Sequence, residues 1–369
     1  MIPYGKQSIN QSDIDSVMSV LKSDFIAQGP KVKEFEQALA KYTGAKYAVV
    51  CNNGTAGLHL AYLTAGLKPG DEVITSPNTF ASTCNMLLAI GAKPVFCDIR
   101  LDTYNIDEEK IVKLITKRTK AIIPIHFAGQ PCEMDKIKKI ADKYKLKIIT
   151  DACHALGAQY KKNKVGSCKY SHMTVFAFHP VKPITTGEGG AVLTNSKADY
   201  ERLVLLRSHG IYKDKQGANV MIEAGANYRS TDIQAALGVS QLKRLDKFIR
   251  LRRQIVTWYQ EFLKDVDQII LPQELPHNSS GWHLYIIRTK NPKIRNKLRS
   301  YLAQNGIGVN FHYPAVYSHP YYRKHGYKNT RLKNEDIYHN SCITLCCYPG
   351  LEKKQVKYIC DHIKSFFKA

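Results

Sequence analysis

Seven short apolar runs, at 47–51, 72–76, 94–98, 121–125, 147–150, 174–178 and 191–194, punctuate the first half of the chain. Each has the length of a strand, and the segments between them, such as 132–144, read as amphipathic helices. Strands that recur after helices need crossover connections, which place helices over both faces of a parallel sheet. The predicted class is therefore α/β, with a large, doubly wound, mainly parallel sheet. Ahead of it, Ile14, Val17, Met18 and Leu21 mark one face of a helix at 12–23, a turn covers 24–30, and a second helix spans 32–42.

The pattern changes past residue 232. A long helical region at 232–262 is followed by a strand at 282–288, a helix at 293–305, a strand at 308–313 and a final helix at 353–367. That order suits a smaller C-terminal α+β domain. A chain of 369 residues also exceeds the usual size of one core. Two domains are expected, 1–245 and 246–369, with the boundary inside the long helix.

Lysine and arginine number 54 against 31 aspartates and glutamates, a net charge of +23 that favours anionic partners. A nucleic-acid partner would need a basic stripe with aromatic platforms or a recognisable module, and the sequence has neither. A phosphorylated cofactor and a phosphorylated substrate would be drawn by the same field. The ten cysteines include no Cys-x-x-Cys pair and lie mostly in or beside apolar runs, as free thiols do in a reducing compartment. No stretch approaches the ~18 apolar residues of a membrane span, and the first residues contain no signal-peptide core. A cytoplasmic protein with no membrane partner is expected.

Chemistry concentrates around Lys182. It sits between Pro180 and Pro183, which exclude a regular helix, and ahead of Gly187, Gly189 and Gly190, which permit tight turning. A lysine held in such a loop becomes a nucleophile when its ammonium is desolvated, and its free amine forms a Schiff base with a carbonyl. Asp151 ends another apolar run, at the strand end where open α/β sheets bind ligands. A carboxylate there can keep a pyridinium nitrogen protonated, or can serve as a helix N-cap. Gly54, Thr55 and Ala56 open a helix after a strand, offering backbone amides and a hydroxyl to a phosphate. Phe80 offers an aromatic face to a planar ring. His126 and His154 lack metal-ligand spacing, so no metal is expected.

In their order along the chain, Ala27-Gln28-Gly29-Pro30, Asn53-Gly54-Thr55-Ala56, Asp151-Ala152-Cys153-His154-Ala155-Leu156-Gly157, Phe178-His179-Pro180-Val181-Lys182 and Asn227-Tyr228-Arg229 resemble the motifs of the DegT/StrS-type sugar aminotransferases. The resemblance covers nearly the whole chain. It implies the pyridoxal 5′-phosphate-dependent fold type I and a reaction that moves nitrogen from L-glutamate to a nucleotide-linked keto sugar. The likeness is greatest to the branch that aminates C4 of a UDP-linked 2-acetamido-2,6-dideoxy-4-keto hexose in pseudaminic acid synthesis, with dTDP- or GDP-linked sugars as alternatives.

The same resemblance implies roles for individual residues. Lys182 would carry the cofactor and move protons, Asp151 would hold the pyridine nitrogen, and Phe80 and His154 would flank the ring. Gly54, Thr55 and Ala56 would bind the phosphate, joined by Asn227 from a neighbouring subunit, which implies a homodimer. Tyr4, the turn of Phe25, Ile26, Ala27 and Gln28, and the segment His312, Tyr313, Pro314 and Ala315 match regions that contact the sugar nucleotide. Three positions depart from the family. Ala177 stands five residues before Lys182, where relatives carry a phosphate-binding serine, and Ala315 and Tyr317 replace the proline and the second histidine of His-Tyr-x-Pro-x-His.

Overall fold

The computed structural model describes residues 1–368. Its large sheet has seven strands in the order Tyr47–Cys51, Gly190–Thr194, Met173–Ala177, Lys147–Asp151, Thr119–Ile123, Glu72–Thr75, Lys93–Phe96. Gly190–Thr194 alone runs against its neighbours, and the remaining pairs are parallel. All seven apolar runs of the sequence form these strands, displaced by no more than a residue or two. Helices cover both faces, and the buried strand side chains divide into clusters on either side of the sheet. Asp151 and Ala177 end adjacent parallel strands, so this topology alone brings two predicted site positions to one sheet edge.

Beyond the large sheet, Ile269–Ile270, Tyr285–Thr289 and Cys342–Leu345 form a three-stranded antiparallel sheet. Helices Leu245–Leu263, Arg295–Gln304 and Lys353–Lys368 supply a separate apolar cluster with it, including Tyr259, Tyr285, Leu298, Ile343 and Ile359.

Three expectations are corrected. The helical region at 232–262 is two helices, Asp232–Lys243 and Leu245–Leu263. No glycine or proline marks the break; it falls at Arg244, whose backbone stays in the right-handed region (φ −104°, ψ −1°) and whose guanidinium binds the Asp13 carboxylate and the Ser8 carbonyl. The segment 308–313 is not a strand. Its backbone is shared between the N-terminal residues, through Gly308 N–H to Ile2 O at 2.7 Å, and a single bridge from Asn310 to Thr344. The place beside Tyr285–Thr289 belongs to Cys342–Leu345, a four-residue run too short to stand out by periodicity. Third, no helix follows Asp151, so the N-cap reading of that carboxylate falls away.

Candidate active site

Lys182 lies five residues beyond the end of Met173–Ala177, its backbone N–H bound to His179 O at 2.9 Å. Its side chain is half-buried. Burial pushes its pKa below that of an ordinary lysine, while Cys153 and then Asp151 pull it back up. The net direction is toward the uncharged, nucleophilic amine.

Asp151 is buried, and both of its oxygens are engaged. Oδ1 accepts from Cys153 N–H at 3.1 Å, closing a local turn, and Oδ2 accepts from Thr83 Oγ1 at 2.7 Å. Because the Thr83 proton is committed to the carboxylate, Thr79 must donate to Thr83 across their 2.9 Å contact. Helix Ser82–Ala89 thus orients the carboxylate from 68 residues away. His154 lies three residues on. Its Nδ1 accepts from Ala128 N–H at 3.3 Å, so Nε2 carries the proton and donates to Tyr313 Oη at 3.2 Å. Burial, then Lys182 and His312, hold its pKa well below the usual range, so the ring is neutral.

The first turn of Gly54–Thr64 forms the other end of the site. Asn53 caps it by accepting from Ala56 N–H at 2.8 Å, so of the predicted trio Ala56 has already spent its amide. The Gly54 and Thr55 amides are the orphan donors that a helix start presents to an anion. A Cβ on Gly54 would come 2.7 Å from Ala177 Cβ and 3.4 Å from Cys153 Sγ. That close approach presses the helix start onto the strand end that leads to Lys182. Phe80 is 60% exposed, unusual for a phenylalanine beside a buried cluster, with its ring 6.1 Å from that of Tyr313.

The remaining predicted residues fall into three groups. Tyr4 and His312 meet with ring centroids 5.6 Å apart, and His312 Nδ1 lies 2.8 Å from Thr344 Oγ1. Phe25, Ile26, Ala27 and Gln28 form an exposed turn, tied down where Asp232 N–H reaches Ile26 O at 3.0 Å and where Ala27 bridges Thr231. Pro314 is half-buried, whereas Ala315 is packed into an apolar cluster with Val316 and Tyr317 and presents no side chain to a cleft. Tyr317 itself stacks edge-on against Phe96 and donates to Asp336 at 3.2 Å, so the departure at this position changes the support of the segment. Asn227 is exposed, beside Tyr228, whose carbonyl accepts from Asn52 N–H at 2.9 Å.

Sequence reasoning missed Thr79, Thr83, Tyr313 as the partner of His154, and the buried pair Arg252 and His283. Their contacts join residues far apart in the chain, for which periodicity carries no signal.

Buried neutral histidines give the fold a pH signature. Burial drives the pKa of both His126 and His312 down to about 3. Unfolded, each titrates near ~6.5. As pH falls below that value the unfolded chain binds protons that the folded chain refuses, so stability is full above ~6.5 and is lost progressively toward 3, by up to ~1.4 kcal/mol per pH unit per group. His126 Nδ1 accepts from Cys132 N–H at 3.2 Å, a contact an asparagine oxygen can imitate. Urea titrations from pH 7.5 to 5 should therefore give a shallower pH slope for His126→Asn, by about one proton; equal slopes would refute this origin.

Ala177 yields a second prediction. Ala177 Cβ lies against the Gly54 helix start; if the amides there hold a phosphate, a serine hydroxyl at this position would add one charge-assisted bond, worth ~1–3 kcal/mol. Ala177→Ser should tighten cofactor binding by about 5-fold to 100-fold in an equilibrium titration. Equal dissociation constants would show that the cradle is already complete without it.

The chain belongs to the DegT/DnrJ/EryC1/StrS aminotransferase family, whose description matches residues 7–364. It is 40% identical over 374 residues to a UDP-4-amino-4,6-dideoxy-N-acetyl-beta-L-altrosamine transaminase of Campylobacter jejuni, covering 100% of this chain and 98% of the relative. Its structure matches Helicobacter pylori PseC, an aminotransferase involved in the biosynthesis of pseudoaminic acid, with a TM-score of 0.95 at 33% identity, covering 100% and 99% of the two chains. It also matches the PLP-form of the putative sugar aminotransferase Spr1654 of Streptococcus pneumoniae, with a TM-score of 0.94 at 30% identity, covering 100% and 98%. The protein is an aminotransferase of the pyridoxal 5′-phosphate-dependent fold, and pyridoxal 5′-phosphate is its cofactor. The residues present fit that group: a desolvated lysine, a buried carboxylate, an exposed phenylalanine and a helix start with free amides.

Proposed function

We propose that this enzyme transfers the amino group of L-glutamate to C4 of a UDP-linked 2-acetamido-2,6-dideoxy-4-keto hexose, the amination step of pseudaminic acid synthesis. The observation that carries the reading is end-to-end similarity to the C. jejuni UDP-sugar transaminase, together with a complete lysine, aspartate and histidine constellation. When bound, the cofactor supplies an aldehyde and an electron-withdrawing ring that stabilises negative charge at the reacting carbon.

The chain's own residues supply the rest. Lys182 holds the cofactor at rest and then shuttles a proton between donor or sugar carbon and cofactor, which its lowered pKa suits. Asp151, locked by Thr83 and Cys153 N–H, keeps a proton on the ring nitrogen. Phe80 and neutral His154 would flank the ring of the bound cofactor, and the Gly54 and Thr55 amides would hold its phosphate. Tyr4, the exposed turn at 25–28 and the His312-Tyr313-Pro314 segment receive the sugar nucleotide, whose diphosphate benefits from the basic surface. Asn227 of one copy reaches the cofactor phosphate of a second, so the active unit is a homodimer. The chain divides into 1–245, which bears the cofactor residues, and a smaller 246–369 unit. The proposed location is the cytoplasm; no helix among the described residues is long and apolar enough to cross a membrane.

A panel of UDP-, dTDP- and GDP-linked 4-keto sugars incubated with glutamate tests this reading. The proposed sugar should be aminated with the highest kcat/KM, giving the 4-amino product and 2-oxoglutarate. A preference for a viosamine, perosamine or bacillosamine precursor would reassign the substrate, and no amination of any keto sugar would reject the reading.

A further inference from the structure

A buried cation beside His283 has backbone carbonyls as its hydrogen-bond partners. Arg252, on helix Leu245–Leu263, is 2% exposed and sends Nη1 to the carbonyls of Trp282 at 3.4 Å, His283 at 3.1 Å and Cys347 at 2.5 Å. Its Nε has no partner, and burial lowers its pKa. An ion this deep is costly to desolvate, and an apolar residue of similar volume would fill the space without that cost. What the guanidinium adds is geometric. It ties the entry to strand Tyr285–Thr289 to the residues that follow Cys342–Leu345.

From that clamp two routes lead to His154. The first is backbone: Gly281 N–H binds Gly129 O at 2.9 Å, Leu284 N–H binds Ala128 O at 3.2 Å, and Ala128 N–H is the donor to His154 Nδ1 at 3.3 Å. The two backbone segments approach so closely that a Cβ on Gly129, at φ +101°, would sit 2.8 Å from Trp282 N. The second is side chain: the His283 ring lies 4.5 Å from the His154 ring, is 4% exposed, and leaves its own Nδ1 without a partner.

We infer that Arg252 and His283 are positioning residues for His154: Arg252 fixes the 281–284 backbone against Ala128 and so sets the His154 tautomer, while the His283 ring sets its tilt. The inference rests on the reading that His154 covers one face of the cofactor ring. With the Ala128 donor displaced, His154 loses the bond that selects Nε2–H and the Nε2–H bond to Tyr313 with it. A misplaced ring then costs turnover more than binding, because small errors in geometry are felt most at the reacting atoms.

The test uses ¹⁵N-histidine-labelled protein, without and with pyridoxal 5′-phosphate. In wild type, His154 should give ring-nitrogen shifts of a single Nε2–H tautomer even without the cofactor. Arg252→Met should mix the tautomers and lower kcat about 10-fold to 100-fold with little change in KM, and Arg252→Lys, which keeps donors for the carbonyls, should recover most of both. His283→Leu leaves the carbonyl clamp intact and should reproduce the loss of kcat with an unchanged melting temperature. A folded Arg252→Met with wild-type His154 shifts and kcat overturns the inference; if that variant does not fold, wild-type shifts and kcat in His283→Leu overturn it. Failure of wild type to bind the cofactor would instead count against the functional reading, since the tautomer measurement without cofactor does not depend on it.

Discussion

Lys182→Ala should lose transamination by at least ~10³-fold, in both the glutamate and the sugar half-reactions, while melting no lower than wild type. The asymmetry follows from the position of the side chain. Its ammonium is desolvated, with its pKa lowered by burial, so removing it relieves a cost and breaks no bond the fold relies on. On the proposed roles, catalysis would lose both the amine that anchors the cofactor and the base that moves the proton. Stopped-flow absorbance of each half-reaction, with differential scanning calorimetry, measures the two effects. A variant with activity within tenfold of wild type would remove Lys182 from the chemistry, and a large fall in melting temperature would give it a structural role the geometry does not suggest.

The second large effect is a recovery. Asn227→Ala and Lys182→Ala subunits should each be nearly inactive, yet mixing them should restore activity. Asn227 is exposed on its own chain, next to the Asn52–Tyr228 backbone contact at the rim of the Gly54 cradle. If it serves the neighbouring copy, a mixed dimer gathers both defects in one site and leaves the other intact. At equal mixing and full exchange, about half the dimers are mixed and each has one working site, so roughly a quarter of wild-type activity should return. Activity that stays at the level of the separate variants after verified exchange would place Asn227 in its own subunit's site and withdraw the argument for a shared dimer.

Much of this architecture was legible because it is local. The seven apolar runs became the seven strands, and the strand-end rule located Asp151, while Ala177 was singled out only by the family resemblance. The flanking prolines placed Lys182 in a loop. The errors came where long-range contacts override local pattern. The break at Arg244 has no local breaker to announce it, and the side chain there binds Asp13, 231 residues away. The 308–313 run has strand-like composition, but its hydrogen bonds go to Ile2 and Thr344 singly. Within the site, the carboxylate was readable while its orientation by Thr83 and Thr79 was not, since a hydroxyl pair on a helix looks like any other. Ala56 shows the converse limit: its place at the helix start was right, but only the structure reveals that Asn53 has taken its amide. In the segment 312–317, which side chains are buried depended on packing that the sequence does not show, as Ala315 and Tyr317 illustrate.

The most direct test of the account is where the cofactor attaches. Protein reconstituted with pyridoxal 5′-phosphate, reduced with borohydride and digested should carry the cofactor's added mass on the single peptide containing Lys182, and glutamate added before reduction should abolish that labelling. Cofactor mass on another lysine, or labelling that glutamate leaves untouched, would contradict it.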